Sequence, residues 1–142
     1  MTSIHLKKVC ILFFAVVTSI CLIGSTSGSN KSKSKWDKAI TEFERWDAKN
    51  SFPPDSVLFV GSSSIKSWET ARYFPEFPVI NRGFGGSTIY DVNLFVDRIV
   101  IKYRPKAIVF YAGDNDIAQG TQPDVVKQNF TEFVRKVHTA LP

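Results

Sequence analysis

Beyond residue 21 this chain has no cysteine. Cys10 and Cys21 are the only two, and both lie in an apolar N-terminal segment, so the rest of the chain must be stabilised by packing rather than disulfides. Long hydrophobic runs are scarce as well. The longest, Val9 to Ile23, is short of the roughly 20 residues that cross a bilayer. Lys7 and Lys8 precede it and the small residues Gly24 to Ser29 follow, the layout of a secretory signal peptide and its cleavage region. Residues 1–29 are therefore expected to be a signal peptide, and the protein to be secreted or periplasmic, with no stable membrane anchor. Ile20, before Cys21, is not the small residue a lipoprotein signal would need.

Charge of one sign is also in short supply. Without Lys7 and Lys8, sixteen bases against thirteen acids leave about +3, weak evidence for any polyanionic partner. The Lys31-Ser32-Lys33-Ser34-Lys35 run is read as a solvated lead-in, and no nucleic-acid partner is expected. Asn30-Lys31-Ser32 and Asn129-Phe130-Thr131 fit the glycosylation pattern, which matters only in a eukaryotic secretory host. No internal repeat is present.

What is there suits a single globular domain, with 142 residues and 44% hydrophobic content. Residues 30–54 divide into the lead-in and a helix in which Trp36, Ile40, Phe43 and Trp46-Asp47 recur at helical spacing, the usual mark of a buried face. The domain proper is expected at 55–142. Val57 to Val60 is a continuous apolar run, as in a strand covered on both faces. Elements then alternate: a helical link from Ser64 to about Tyr73, a strand from Pro78 to Asn81, a helix from Ile89 to Tyr103, a strand from Ala107 to Tyr111 and a helix from Pro123 to Ala140. Thr121 with Asp124, and Thr88 with Asp91, have capping-box spacing, and Pro123 suits a first helical turn. Val126, Phe130, Phe133, Val134 and Val137 mark one side of the last helix. Strict alternation implies a parallel sheet with right-handed crossovers, a doubly wound three-layer α/β fold.

Each strand ends in a tight polar turn: Gly61-Ser62-Ser63-Ser64, Asn81-Arg82-Gly83-Phe84-Gly85-Gly86, and Gly113-Asp114-Asn115-Asp116. In a parallel sheet all three open at the carboxyl edge, where open α/β folds bind ligands. Each turn has two readings. The serines are either an N-cap or a nucleophile at a helix start, the glycines either permit a turn or let backbone N–H groups approach an anion, and Asp114 and Asp116 either sit in a plain turn or hold a divalent metal. An asparagine amide could also donate to an oxyanion.

The three turns, in this order and spacing, resemble the sequence blocks of the SGNH hydrolases, also called the GDSL esterase and lipase family. Val57-Leu58-Phe59-Val60-Gly61-Ser62-Ser63-Ser64-Ile65 is similar to the first block. Alignment on Gly61 implies Ser63 as nucleophile, with Ser62 where the family usually has Asp. Asn81-Arg82-Gly83-Phe84-Gly85-Gly86-Ser87-Thr88 is similar to the second block, which implies that the Gly86 N–H joins an oxyanion hole. Gly113-Asp114-Asn115-Asp116 matches Gly-x-Asn-Asp, which implies Asn115 as the side-chain donor. The resemblance implies a flavodoxin-like fold, hydrolysis of acyl or O-acetyl esters of small molecules or carbohydrates, and neither metal nor organic cofactor.

The family's fourth block, an Asp and a His three residues apart, is absent from the 142 residues. His5 lies in the signal peptide, and His138 has Arg135 at the matching position. His138, near the end of a helix, is expected to be a surface residue that favours the helix dipole. The general base is thus expected outside this sequence, the chain to be the N-terminal part of a longer enzyme, and the part alone to be inactive. Two competitors remain: a non-catalytic ligand- or glycan-binding α/β domain, and a metal-dependent phosphohydrolase built on Asp114 and Asp116.

Overall fold

A computed structural model describes residues 34–141. The expected signal peptide, the first glycosylation pattern and most of the lysine-rich lead-in lie outside the described residues. Three parallel strands form one sheet in the order β2-β1-β3: β1 (Val57–Gly61), β2 (Val79–Gly83) and β3 (Ala107–Tyr111). Around them are α1 (Asp37–Asp47), α2 (Ser63–Ser67), α3 (Thr70–Tyr73), α4 (Ile89–Leu94), α5 (Val96–Ile99), α6 (Asp114–Ala118) and α7 (Pro123–Ala140). Gly61 is level with Gly83 and Tyr111, so the three strands end together.

Side chains alternate across a strand, and that alternation sorts the sheet into two faces. Leu58, Val60, Ile80, Ile108 and Phe110 join the main core with Ile40 of α1, Val92 of α4, Ile99 of α5 and Phe133 of α7. On the opposite face Phe59 lies 5.4 Å, ring to ring, from both Trp68 and Phe74, which the α2–α3 segment carries. β1 is covered on both sides, which explains its unbroken apolar run. The result is a three-layer α/β fold. α1 belongs to it, since Ile40 is fully buried in the shared core.

The chain departs from its sequence pattern in several places. The stretch Ile89–Tyr103 is not one helix but α4, α5 and a 3-10 turn at Ile101–Tyr103, because Phe95 (φ −113°, ψ 7°) and Val100 (φ −129°, ψ −65°) leave the helical region. Phe95, Val96, Ile99, Val100 and Tyr103 are all buried, a spread wider than one stripe of a straight helix presents. The Ser64–Tyr73 link is two short helices. α7 takes Gln122 as its N-cap rather than Thr121, without a side-chain cap, whereas Thr88 and Asp91 do form their reciprocal box. Trp46 is 55% exposed, so α1 does not bury every residue of its aromatic series. Among the described residues no helix is long and apolar enough to cross a membrane.

Candidate active site

The level strand ends bring the three turns together through hydrogen bonds. Ser62 donates its N–H to Tyr111 O at 2.9 Å, Phe84 donates its N–H to Gly61 O at 3.0 Å, and Ser87 Oγ donates to the same carbonyl at 3.4 Å. Gly61 has to be glycine twice over. Its φ is +145°, and a Cβ there would stand 1.9 Å from Tyr111 O.

Ser62 and Ser63 part company at this turn. Ser62 caps α2 in an extended conformation, and its Oγ is buried without a hydrogen-bond partner. Ser63, the first residue of α2, is exposed, as is Ser64. Ser63 and Ser64 are thus both accessible at the carboxyl edge of the sheet, and Ser62 is not.

The second and third turns lock to each other. Asn115 Nδ2 donates to Ser87 O at 2.9 Å, so the amide lies beside the residue that follows Gly86. The other N–H of that amide has no partner among the described residues. Gly86 takes φ +75°, a left-handed conformation that favours glycine, and a Cβ there would meet the Trp36 ring at 3.4 Å. Asp116 is buried, and its carboxylate accepts the Ile89 N–H at 3.2 and 3.0 Å, tying α6 to the first turn of α4. Its role here is architectural. Among the described residues no three of His, Cys, Asp or Glu come together as a metal would require.

His138 is remote from this edge. A Cβ at Gly113 would stand 3.8 Å from Val126 of α7, and His138 lies twelve residues further along that helix, about 18 Å at the ordinary helical rise.

Sequence reasoning missed the buried polar cluster beneath the second turn. Arg82 Nη2 meets Asp47 Oδ1 at 2.5 Å, Arg82 Nε donates to Tyr103 Oη at 2.6 Å, and Tyr103 Oη donates to Asp47 Oδ2 at 2.6 Å. Lys102 pairs with the same carboxylate. The guanidinium stacks among Phe43, Trp46 and Tyr103, 4.8 to 5.8 Å from the ring centres. Burial alone would push the Asp47 carboxyl up, but hydrogen bonds from Lys102 and Tyr103 and the Arg82 charge outweigh it and hold the group below the usual carboxylate range. Burial, then the bond to Asp47, drives the Tyr103 phenol well above its ordinary value. This cluster fastens α1 to the strand that leads into the glycine turn. The partners are 35 residues apart in sequence for Asp47 and Arg82, and no local pattern announces them.

Comparison with known proteins bears on the whole arrangement. No family model and no curated protein sequence matches the chain. Solved structures do. A GDSL-like lipase from Bacteroides thetaiotaomicron VPI-5482 superposes with a TM-score of 0.64 at 23% identity, over 71% of this chain and 53% of that one. A candidate acylhydrolase from Bacteroides fragilis NCTC 9343 gives 0.64 at 25% identity, over 76% and 55%. The fold is that of the SGNH hydrolases. An acetyl xylan esterase superposes with a TM-score of 0.54 at 22% identity, over 60% of this chain and 53% of that one. The chain spans about half the length of these solved structures.

Proposed function

We propose that this chain carries the nucleophile and oxyanion half of a secreted serine hydrolase of the SGNH type, acting on carboxylic esters with acyl or O-acetyl groups. The observation that carries the reading is the joining of three turns at one sheet edge, with Ser63 exposed and Asn115 bonded to Ser87, one residue past Gly86. In this reading Ser63 Oγ attacks the acyl carbonyl and gives its proton to a histidine of the full-length protein that lies outside these 142 residues. The tetrahedral oxyanion is held by the N–H groups of Ser63 and Gly86 and by the Asn115 amide, donors that favour the transition state over the planar ester. On collapse the same histidine returns its proton to the leaving oxygen, the alcohol departs and an acyl-serine remains, which water, deprotonated by that histidine, hydrolyses to the free acid and Ser63.

An organophosphonate serine probe on the full-length protein tests this, because only an activated serine is labelled. Adduct on the Ser63 peptide, lost in Ser63→Ala, is the expected result. An unlabelled Ser63 in folded protein would leave the amide-rich edge as a binding site without catalysis.

A further inference from the structure

Ser63 stands on a helix too short to hold itself. α2 runs only from Ser63 to Ser67, and five residues close too few hydrogen bonds to offset the entropy of fixing a helical turn. What α2 is docked on therefore decides where the serine stands. One anchor is Ile65, whose side chain is buried. The other is the end of β2. A Cβ at Gly83 would stand 2.3 Å from the Lys66 backbone nitrogen and 2.8 Å from the Ile65 carbonyl carbon, so only a bare glycine lets the helix backbone lie directly on the strand.

Asn81, two residues before Gly83 in β2, grips both sides of this contact. Its Nδ2 donates to Ile65 O at 2.7 Å and to Trp68 O at 3.1 Å, one carbonyl inside α2 and one at its C-cap. Its Oδ1 accepts the Gly83 N–H at 2.9 Å. Two carbonyl acceptors and one N–H donor admit a single orientation of the amide, since the flipped side chain would set oxygen against oxygen.

The two sides of the grip lead to the two halves of the site. Ser63 is two residues before Ile65, and Gly86 is three residues beyond Gly83. One side chain thus ties the helix of the serine to the strand that feeds the Gly86 N–H. Their mutual placement matters because a misplacement of about 1 Å can cost about 10²-fold in rate. We propose that Asn81 is a positioning residue, which sets Ser63 against the Gly86 N–H by fastening α2 to the end of β2. The proposal rests on the reading of Ser63 given above, and adds to it a residue that acts through its backbone partners.

The test uses the full-length protein and two variants. Asn81→Asp has the same shape and keeps the acceptor for Gly83, but loses both donors to the helix; Asn81→Ala loses all three bonds. Ser63 is labelled with the organophosphonate, whose phosphoryl oxygen calls on the same oxyanion donors. The final amplitude counts competent sites, and the rate per site reports their geometry. Both variants should label, and turn over a short-chain ester, about tenfold to a hundredfold more slowly per site, with KM within about twofold of the parent. Acid should restore Asn81→Asp in part. Facing two carbonyl oxygens favours the protonated carboxyl, whose O–H can donate to Ile65 O. Its labelling rate relative to the parent should therefore rise from about pH 8 to about pH 5, while the Asn81→Ala ratio stays flat.

A parental rate per site in either folded variant overturns the proposal. So does a loss confined to the number of labelled sites, a rise in KM with kcat unchanged, or an Asn81→Asp ratio indifferent to pH. If neither variant folds, Asn81 is a stability residue and the proposal falls. A labelled parent with unaffected variants sinks this proposal alone, whereas an unlabelled Ser63 in the folded parent sinks the hydrolase reading and this proposal with it.

Discussion

Asp116 accepts the backbone N–H of Ile89 at 3.2 and 3.0 Å, which joins the loop after β3 to the helix that follows Gly86. The bond fixes two of the three proposed oxyanion donors in one frame, since Asn115 precedes Asp116 and bonds to Ser87 from the same turn. Asp116→Ala would leave the Ile89 N–H buried and unpaired, at about 1–3 kcal/mol. Asp116→Asn keeps an acceptor and should cost less. Urea denaturation of the full-length variants checks the order, and equal losses would show that the acceptor is not what matters.

Among the serines, Ser63→Ala should abolish ester hydrolysis, while Ser62→Ala and Ser64→Ala leave most of it. Ser62→Ala should also leave stability unchanged or raise it, because the Oγ it removes is buried without a partner. Asn115→Ala should lower kcat by on the order of 10² to 10³, the usual loss for one oxyanion donor. Steady-state kinetics on a short-chain ester decide this, and full activity in Ser63→Ala ends the assignment.

How far such features were legible in the sequence depended on the range of the interaction behind them. β3 and α7 were readable to the residue, because a continuous apolar run and a proline-led amphipathic repeat are local signals. The third turn was not readable as structure, since Asp114–Ala118 closes into the short helix α6. The sequence pattern starts the second strand at Pro78 and ends it at Asn81, whereas β2 runs Val79–Gly83. Arg82 and Gly83 look like turn residues, yet they lie in the strand, where Asn81 Nδ2 donates to Ile65 O at 2.7 Å and Arg82 reaches Asp47. Those partners come from distant segments, as does the broad buried surface that breaks the Ile89–Tyr103 helix. Why Trp46 carries so much exposure is clear only in three dimensions, where it flanks the Arg82 guanidinium.

Gly61→Ala should be among the most damaging single changes in the domain. The new Cβ meets backbone, Tyr111 O at 1.9 Å, and φ +145° is unfavourable for any L side chain, so neither strand can yield cheaply. The expected loss is about 3 kcal/mol or more. A denaturation midpoint within error of the parent would refute the close packing of β1 against β3 at that level.

The Asp47–Arg82 pair gives stability a defined pH dependence. Its two side chains are 7% and 8% exposed, and the carboxyl is held below its ordinary value by the partners that outweigh its burial. A depressed carboxyl stabilises fully above its unfolded pKa of about 3.9, and the contribution is lost as pH falls through the folded value. Asp47→Asn should therefore cost about 3–5 kcal/mol near neutral pH, where it leaves the buried guanidinium without its counter-charge. The gap to the parent should narrow below pH of about 4. Chemical denaturation at both pH values tests this, and a gap independent of pH would mean that packing, not charge, is what the residue contributes.

The outer side of β3 carries the last prediction. Among the described residues β3 pairs only with β1, so one row of its backbone N–H and C=O groups faces outward, next to an α7 on which Phe130 is 43% and Val134 36% exposed. An unpaired strand edge beside apolar surface is a template for a second chain. Residues 1–142 made alone should accordingly self-associate and show no efficient ester turnover, since a serine hydroxyl without a general base is a weak nucleophile. Lysine at an edge opposes such pairing. Ala107→Lys, at an exposed position of β3, should raise the monomer fraction in size-exclusion chromatography with light scattering, and Val134→Lys on α7 should do so through the apolar surface instead. If only Val134→Lys helps, association runs through the helix. If the unsubstituted chain is a soluble monomer that unfolds cooperatively, the edge is already protected, and turnover by that monomer would require a base within the 142 residues, with His138 the first residue to replace.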